Sequence, residues 1–107
     1  MQNVGKLVKS LNQLQNKAKA IQQEIAEKTF EGTAANGLVK VTMTGKGNIT
    51  RVDIDETVMS EGHETVADLV TVAAGKAYEA KEEYAGKKVK ELGSGLLPFG
   101  LTLPGML

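Results

Sequence analysis

Apolar residues recur at helical spacing over the first quarter of the chain. Between residues 3 and 28 they follow one another in alternating steps of three and four, a heptad pattern that lasts for three repeats. These residues are Val4, Leu7, Leu11, Leu14, Ala18, Ile21 and Ile25. The positions between them are mostly polar. The pattern predicts a helix over residues 3–28, about 35–40 Å long, whose narrow apolar seam suits packing against one other helix.

The next part of the chain changes to an alternation of apolar and polar residues, which is typical of β-strands. The predicted strands are residues 29–34, 38–44 and 48–54. Asn36-Gly37 and Gly45-Lys46-Gly47 predict tight turns between them, because Asn and Gly accept positive φ. The residues expected on the inner face are Phe30, Gly32, Ala34, Val39, Val41, Met43, Val52 and Ile54. The result is an antiparallel meander with one apolar face.

A second long helix is predicted from about His63, after a connection with a helical turn at residues 56–60. Its apolar stripe steps by four and three through Val66, Val70, Ala73, Ala77, Ala80 and Tyr84, and Leu69 widens it. Small residues in the middle of this stripe allow another element to approach closely. Gly93 follows Leu92 as the expected stop.

The element order is therefore α-β-β-β-α, which predicts an α+β fold. We expect one domain at residues 1–92 and a tail at residues 93–107, which is uncharged, rich in Gly, Pro and Leu, and not helical. The tail is either loose or lies on an apolar groove of its own or a partner chain. A chain of 107 residues with few aromatics and no Trp has a modest core. This favours a homodimer.

Charge is distributed unevenly along a chain whose net charge is zero. Residues 1–51 and 86–107 are basic, whereas residues 52–85 are acidic. If the two helices pair antiparallel, the lysines at the start of one and the end of the other meet at one extremity. Such a positive tip would contact DNA phosphates; the alternative is that these are ordinary solvated lysines. The seven candidates are Lys6, Lys9, Lys17, Lys19, Lys87, Lys88 and Lys90.

Enzymatic chemistry finds little support in the sequence. There is no Cys and a single His, so thiolate or all-histidine metal sites are excluded within one chain. Gly45-Lys46-Gly47 precedes a strand, whereas a phosphate-binding loop precedes a helix. Asp53 and Asp55 share a strand face without further ligands, and His63 lacks a nucleophile in a triad arrangement. We expect no catalytic residue, metal, cofactor or small-molecule substrate.

The sequence also lacks the features of membrane insertion or export. No apolar run approaches the length of a membrane span, and the N-terminus has no signal-peptide pattern. With the absence of Cys, this fits a cytoplasmic protein that does not associate with membranes.

Three short motifs stand out along the chain: GLVKVT at residues 37–42, VDID at 52–55 and Asp68-Leu69-Val70. Together with the Gln/Lys-rich opening helix and the Gly/Pro-rich tail, they resemble the YbaB/EbfC family of bacterial nucleoid-associated proteins. It implies an α-β-β-β-α fold and a homodimer shaped like tweezers. It also implies binding of double-stranded DNA in the nucleoid, where the protein organises DNA and influences transcription, without enzyme activity.

Two functions therefore stand side by side. The first is a homodimer that grips duplex DNA through lysine–phosphate contacts on its helical arms, with weak sequence specificity because no base-reading motif is present. The second is a non-enzymatic module that docks a partner protein through the heptad helix and the apolar tail.

Overall fold

Two long helices flank a small antiparallel sheet in the computed structural model. The structure describes the backbone of residues 4–96 and the side chains of residues 4–92. The elements are α1 (Val4–Glu27), β1 (Thr29–Ala34), β2 (Val39–Thr44), β3 (Ile49–Ile54), α2 (Glu56–Met59) and α3 (His63–Leu96). The molecule measures 72 × 22 × 17 Å. The α+β fold and the order predicted from the sequence are confirmed, and α2 is the predicted helical turn between the sheet and the second long helix.

The sheet has strand order β1-β2-β3, and both pairings are antiparallel. The turn between β1 and β2 holds Ala35, Asn36 and Gly37 at positive φ, as the Asn-Gly signal predicts. Val39 and Val41 on the central strand are fully buried. They belong to a core that also contains Ala34, Met43, Val58, Ala73 and Ala77. The inner face predicted for β1 and β2 is therefore confirmed.

α3 and β1 lie very close together because the residues at their contact have small side chains or none. A Cβ atom at Gly32 would overlap the backbone carbonyl oxygen of Ala73 and the amide nitrogen of Ala77. Ala73 and Ala77 are themselves fully buried. Backbone thus lies against backbone here, which explains why the stripe of α3 carries small residues.

A second close approach fixes the end of α1 to the sheet. A Cβ atom at Gly45 would overlap the carbonyl oxygen of Ile25, and the Gly45 amide donates a hydrogen bond of 3.0 Å to the carbonyl oxygen of Lys28. The β2–β3 turn, with Gly47 at φ 91°, therefore holds the C-terminal end of α1. Gly45-Lys46-Gly47 is a hairpin turn, as expected, and it is followed by a strand.

Strand β3 departs from the simple alternation. The register shifts so that Thr42 faces Arg51 while Met43 faces Ile49, which leaves Thr50 as a bulge. Ile49 thereby joins Val52 and Ile54 on the apolar face. Val52, which was predicted on the inner face, lies opposite the buried Val41, but it is 42% exposed because α3 packs on β1 and β2 and leaves β3 at the edge.

Helix α3 continues four residues beyond its expected end. The prediction that Gly93 stops the helix is wrong, and so is the prediction that residues 93–96 are not helical. A glycine within a helix costs about 1 kcal/mol relative to Ala, which a helix already anchored by the buried Leu92 can accommodate. The rest of the predicted tail, residues 97–107, lies outside the described residues.

The glycine at the helix–sheet contact gives a direct test of this packing. Gly32→Ala should lower the free energy of unfolding by about 1–3 kcal/mol, because the methyl group forces the two backbones apart. Gly75→Ala is the matched control: it adds the same methyl group in α3 where no atom lies within 4 Å. It should raise the free energy of unfolding by about 0.5–1 kcal/mol through helix propensity. Urea titration followed by circular dichroism measures both; equal effects would contradict the packing described.

Candidate nucleic-acid interface

The first twenty residues of α1 carry positive charge without a negative counterpart. Lys6, Lys9, Lys17 and Lys19 are all exposed, and the first acidic residue of the chain is Glu24. Within residues 4–96 the structure pairs none of these four lysines with an acidic group. An unpaired, hydrated ammonium group is free to exchange its counterions for a phosphate.

Helical geometry places these lysines on the flanks of the α1 seam and on the side opposite to it. At 100° per residue, Lys9 lies opposite the seam, and Lys6 and Lys17 share one flank about 16 Å apart. Lys19 lies on the other flank. The same spacing that concentrates Leu7 and its equivalents on one side therefore leaves a basic outer surface along the arm.

The lysines near the end of α3 have different surroundings. The Nζ atom of Lys87 lies 3.5 Å from Oε1 of Glu83, and both side chains are largely exposed. The Nζ atom of Lys88 lies 3.2 Å from Oε1 of Glu24 and 3.7 Å from Oε2 of Glu91, with a side chain only 23% exposed. Lys90 is exposed and, within the described part of the chain, forms no ion pair. Lys88 is therefore engaged in holding the two helices together.

Lys88 belongs to a group of side chains that joins α1, β1 and α3, here named the junction cluster: Glu24, Lys28, Phe30, Tyr84 and Lys88. The Tyr84 hydroxyl donates a hydrogen bond of 3.4 Å to Oε1 of Glu24. The Tyr84 ring packs 5.5 Å from the Phe30 ring, and the Nζ atoms of Lys28 and Lys88 lie 5.0 and 5.6 Å from its centroid.

Electrostatics in the junction cluster favours the charged form of its central lysine. The hydrogen bond with Glu24 raises the pKa of Lys88 above its ordinary value; partial desolvation opposes this rise, and the negative charges of Glu24 and Glu91 add to it. The ammonium group of Lys88 therefore remains charged and bound to Glu24 throughout the neutral range.

The junction cluster also fixes the relative direction of the helices. Lys28 lies beside Tyr84, while Glu24, one turn earlier in α1, also contacts Lys88, one turn later in α3. The helices therefore run antiparallel, which is the condition stated for the predicted positive tip.

The predicted meeting of both basic groups at one extremity is nevertheless wrong. Lys88 is level with Glu24, so Lys6 and Lys9 lie about 22–27 Å further along the helix axis. Lys17 and Lys19 are closer, about 8–10 Å from Glu24 along the axis. The lysines thus form a basic line along the axis of the arm, distributed over several of its faces, because the register between the helices places the end of α3 beside the second half of α1.

The other candidate sites are structural. Asp53 accepts a hydrogen bond of 2.7 Å from Nε of Arg51. Asp55 caps α2, where hydrogen bonds from the side chain and backbone of Thr57 lower its pKa. An acid–base catalyst at neutral pH needs the opposite shift. His63 is exposed at the first residue of α3, and the described part of the chain contains no group of three or more His, Cys, Asp or Glu side chains that could hold a metal ion.

Among residues 4–96, neither long helix is apolar enough over a sufficient length to cross a membrane. The sequence pattern does not reveal the junction cluster. It places Tyr84 only in the stripe of α3, and no periodic signal links Tyr84 to Glu24, a residue 60 positions earlier.

Known proteins provide an independent comparison. A solved structure described as an uncharacterized protein from Helicobacter pylori is 18% identical and superposes with a TM-score of 0.70 over 83% of this chain and 95% of that one, which shows a shared fold. A nucleoid-associated protein of Cyanothece sp. (strain PCC 7425) is 40% identical over 99% of this chain and 89% of its own length. The model of the YbaB/EbfC DNA-binding family matches residues 1–96. The chain therefore belongs to the YbaB/EbfC DNA-binding family.

Proposed function

We propose that the protein binds double-stranded DNA as a homodimer, mainly through contacts between lysines on its helical arms and DNA phosphates. The observation that carries the proposal is the exposed, unpaired state of Lys6, Lys9, Lys17 and Lys19 along α1. Such contacts act without reading bases, so sequence specificity is weak. The protein would then contribute to nucleoid organisation and gene regulation, and its place in the cell would be the nucleoid within the cytoplasm.

The lysines of α3 contribute unequally in this proposal. Lys90 is exposed and extends the basic line, and Lys87 has only a solvent-exposed ion pair with Glu83, which a phosphate can replace at little cost. Lys88 is a positioning residue, because leaving Glu24 would break the junction cluster that orients α1. The net charge of the protein is zero, so DNA binding depends on this local arrangement.

The edge strand supports the homodimer. Ile49 and Val52 are 51% and 42% exposed on the apolar face of β3. The outer side of β3 also has backbone N–H and C=O groups without a strand partner among the described residues. A second copy covering this edge would bury both the apolar face and the backbone groups, which suits a chain with a small core.

The alternative function is a module that docks a partner protein through the heptad helix and the tail. It is favoured by the first half of the α1 seam, where Val4, Leu7 and Leu11 are more than half exposed. Deleting residues 97–107 separates the two functions. The deletion should abolish docking of a partner protein under this alternative and should leave salt-dependent DNA binding largely intact under the first.

Replacing two lysines of α1 tests the phosphate contacts. Lys6→Gln with Lys17→Gln should weaken binding to duplex DNA and reduce the slope of log affinity against log salt by about 3.6, because the homodimer loses four lysines and each lost phosphate contact removes about 0.9. Gln has nearly the same helix propensity as Lys, so α1 should remain helical. Fluorescence anisotropy at several salt concentrations measures the slope.

The matched control removes the same charge elsewhere: Lys46→Gln in the β2–β3 turn with Lys76→Gln on α3, both exposed. Its slope should equal that of the wild type. If both double variants change the slope equally, binding follows the total charge and the assignment to α1 is wrong.

Lys88→Gln should change the stability of the fold and leave the salt dependence of DNA binding unchanged. It should lower the free energy of unfolding and weaken protection of α1 amides from hydrogen exchange, because the pair with Glu24 is lost, while the salt slope remains that of the wild type. The pKa of Lys88 is higher in the folded protein than in the unfolded protein, so the stabilisation is fully present at pH values below the unfolded-state pKa. It disappears as the pH rises through the folded-state pKa. The difference in stability should therefore be constant from about pH 6 to about pH 9. A slope reduced by about 1.8, which corresponds to one contact from each protomer, would make Lys88 a phosphate contact instead.

Val52→Lys tests the dimer edge. The side chain is partly exposed in one protomer, so the variant should fold, but the added charge should convert the dimer to a monomer in sedimentation equilibrium. Thr33→Lys, exposed on the outer face of β1, is the control and should remain dimeric. A wild-type chain that sediments as a monomer at all concentrations would refute the dimer.

A further inference from the structure

The apolar seam of α1 is covered over half of its length only. Leu14, Ala18, Ile21 and Ile25 are half-buried on the side where α1 contacts α3. Toward the start of the helix, Val4, Leu7, Val8 and Leu11 are each between 51% and 60% exposed. Four neighbouring large apolar side chains at one end of a helix form an exposed apolar patch, and such patches mark surfaces that are covered by another segment or molecule.

The boundary between the two halves coincides with the end of α3. Glu24 is level with Lys88 and the helices are antiparallel, so Leu96, the last residue of α3, is level with about residue 16 of α1. The seam is thus covered for as long as α3 runs beside it. The chain then continues with residues 97–107, which begin where the exposed half begins.

The composition of residues 97–107 suits this surface. The segment, LPFGLTLPGML, has no charged residue. More than half of its residues are large and apolar, and Pro98 and Pro104 disfavour a continued helix. An extended chain of this length reaches up to about 36 Å, while the distance along α1 from Leu14, the last covered residue, to Val4 is about 15 Å. The segment therefore has enough length to follow α1 back to its start.

We infer that residues 97–107 lie along the exposed half of the α1 seam, defined by Val4, Leu7, Val8 and Leu11, in the same protomer. The tether favours this occupant over a second copy or another protein, because a short connection gives an effective concentration on the order of millimolar. A shallow hollow lined by Val4, Lys6, Leu7 and Ser10 lies on this surface. Lys6 borders this hollow, whereas Lys9, Lys17 and Lys19 do not, so the proposed tail surface is largely separate from the proposed DNA contacts.

A paramagnetic label on the tail tests the inference in the full chain. The protein has no cysteine, so Thr102→Cys gives a single attachment site for a nitroxide. In nitrogen-15 NMR spectra the label should broaden the amide signals of residues 4–11. The same label at Lys46→Cys, on the β2–β3 turn, should leave those signals sharp. Unchanged signals at residues 4–11 with the Thr102→Cys label would overturn the inference.

Mixed samples identify which chain the tail covers. When spin-labelled chains without nitrogen-15 are mixed with unlabelled nitrogen-15 chains, broadening within one protomer disappears. Broadening that persists in the mixture would show a tail seated on a second copy and would overturn the inference.

Variants of the seam complete the test. Leu7→Lys with Leu11→Lys should remove the broadening, whereas Asn12→Lys with Asn16→Lys, which adds the same charge to the polar side of α1, should retain it. Loss of the broadening in both pairs would mean that the tail responds to charge on α1 and does not recognise its apolar seam.

Discussion

The direct contact between the backbones of α3 and β1 determines the rest of the structure. Gly32 has no side chain, and Ala73 and Ala77 have only a methyl group, so the helix lies on the sheet with no room for another carbon atom. This contact fixes the position of α3, and α3 in turn carries Tyr84 and Lys88 to the place where α1 leaves the sheet. The arm that bears the unpaired lysines is therefore oriented through a chain of contacts that begins at a glycine.

Binding of DNA by the arm would also require that α1 is held in place while its outer side stays accessible. Gly45 fixes the C-terminal end of α1 at the β2–β3 turn, and the junction cluster holds it against α3 through Glu24. No residue of α1 is buried. The helix thus gains its position from contacts in its C-terminal half, and its lysines remain in water. This division explains how a protein without net charge can present a local line of positive charge to a polyanion.

The sequence predicted those parts of the fold that depend on local periodicity. The alternation in β1 and β2 identified their buried face, and the heptad pattern identified α1 and its seam. The bulge at Thr50 was not predictable, because it depends on how β3 aligns with β2. The end of α3 was placed too early, since Gly93 is a local signal for a helix stop and the packing of Leu92 is not local.

The geometry of the candidate interface could not be predicted from the sequence. Charge counting identified the seven lysines, but only the register between two helices far apart in sequence separates Lys88, paired with Glu24, from the exposed lysines of α1.

The central claim is that phosphate contacts from lysines on α1 and the end of α3 supply the affinity for DNA. The most direct measurement is the affinity of the wild-type protein for a duplex at several salt concentrations. If about six phosphates are neutralised, log affinity should fall with log salt at a slope near −5. Absence of binding at low salt, or an affinity that does not change with salt, would contradict the account.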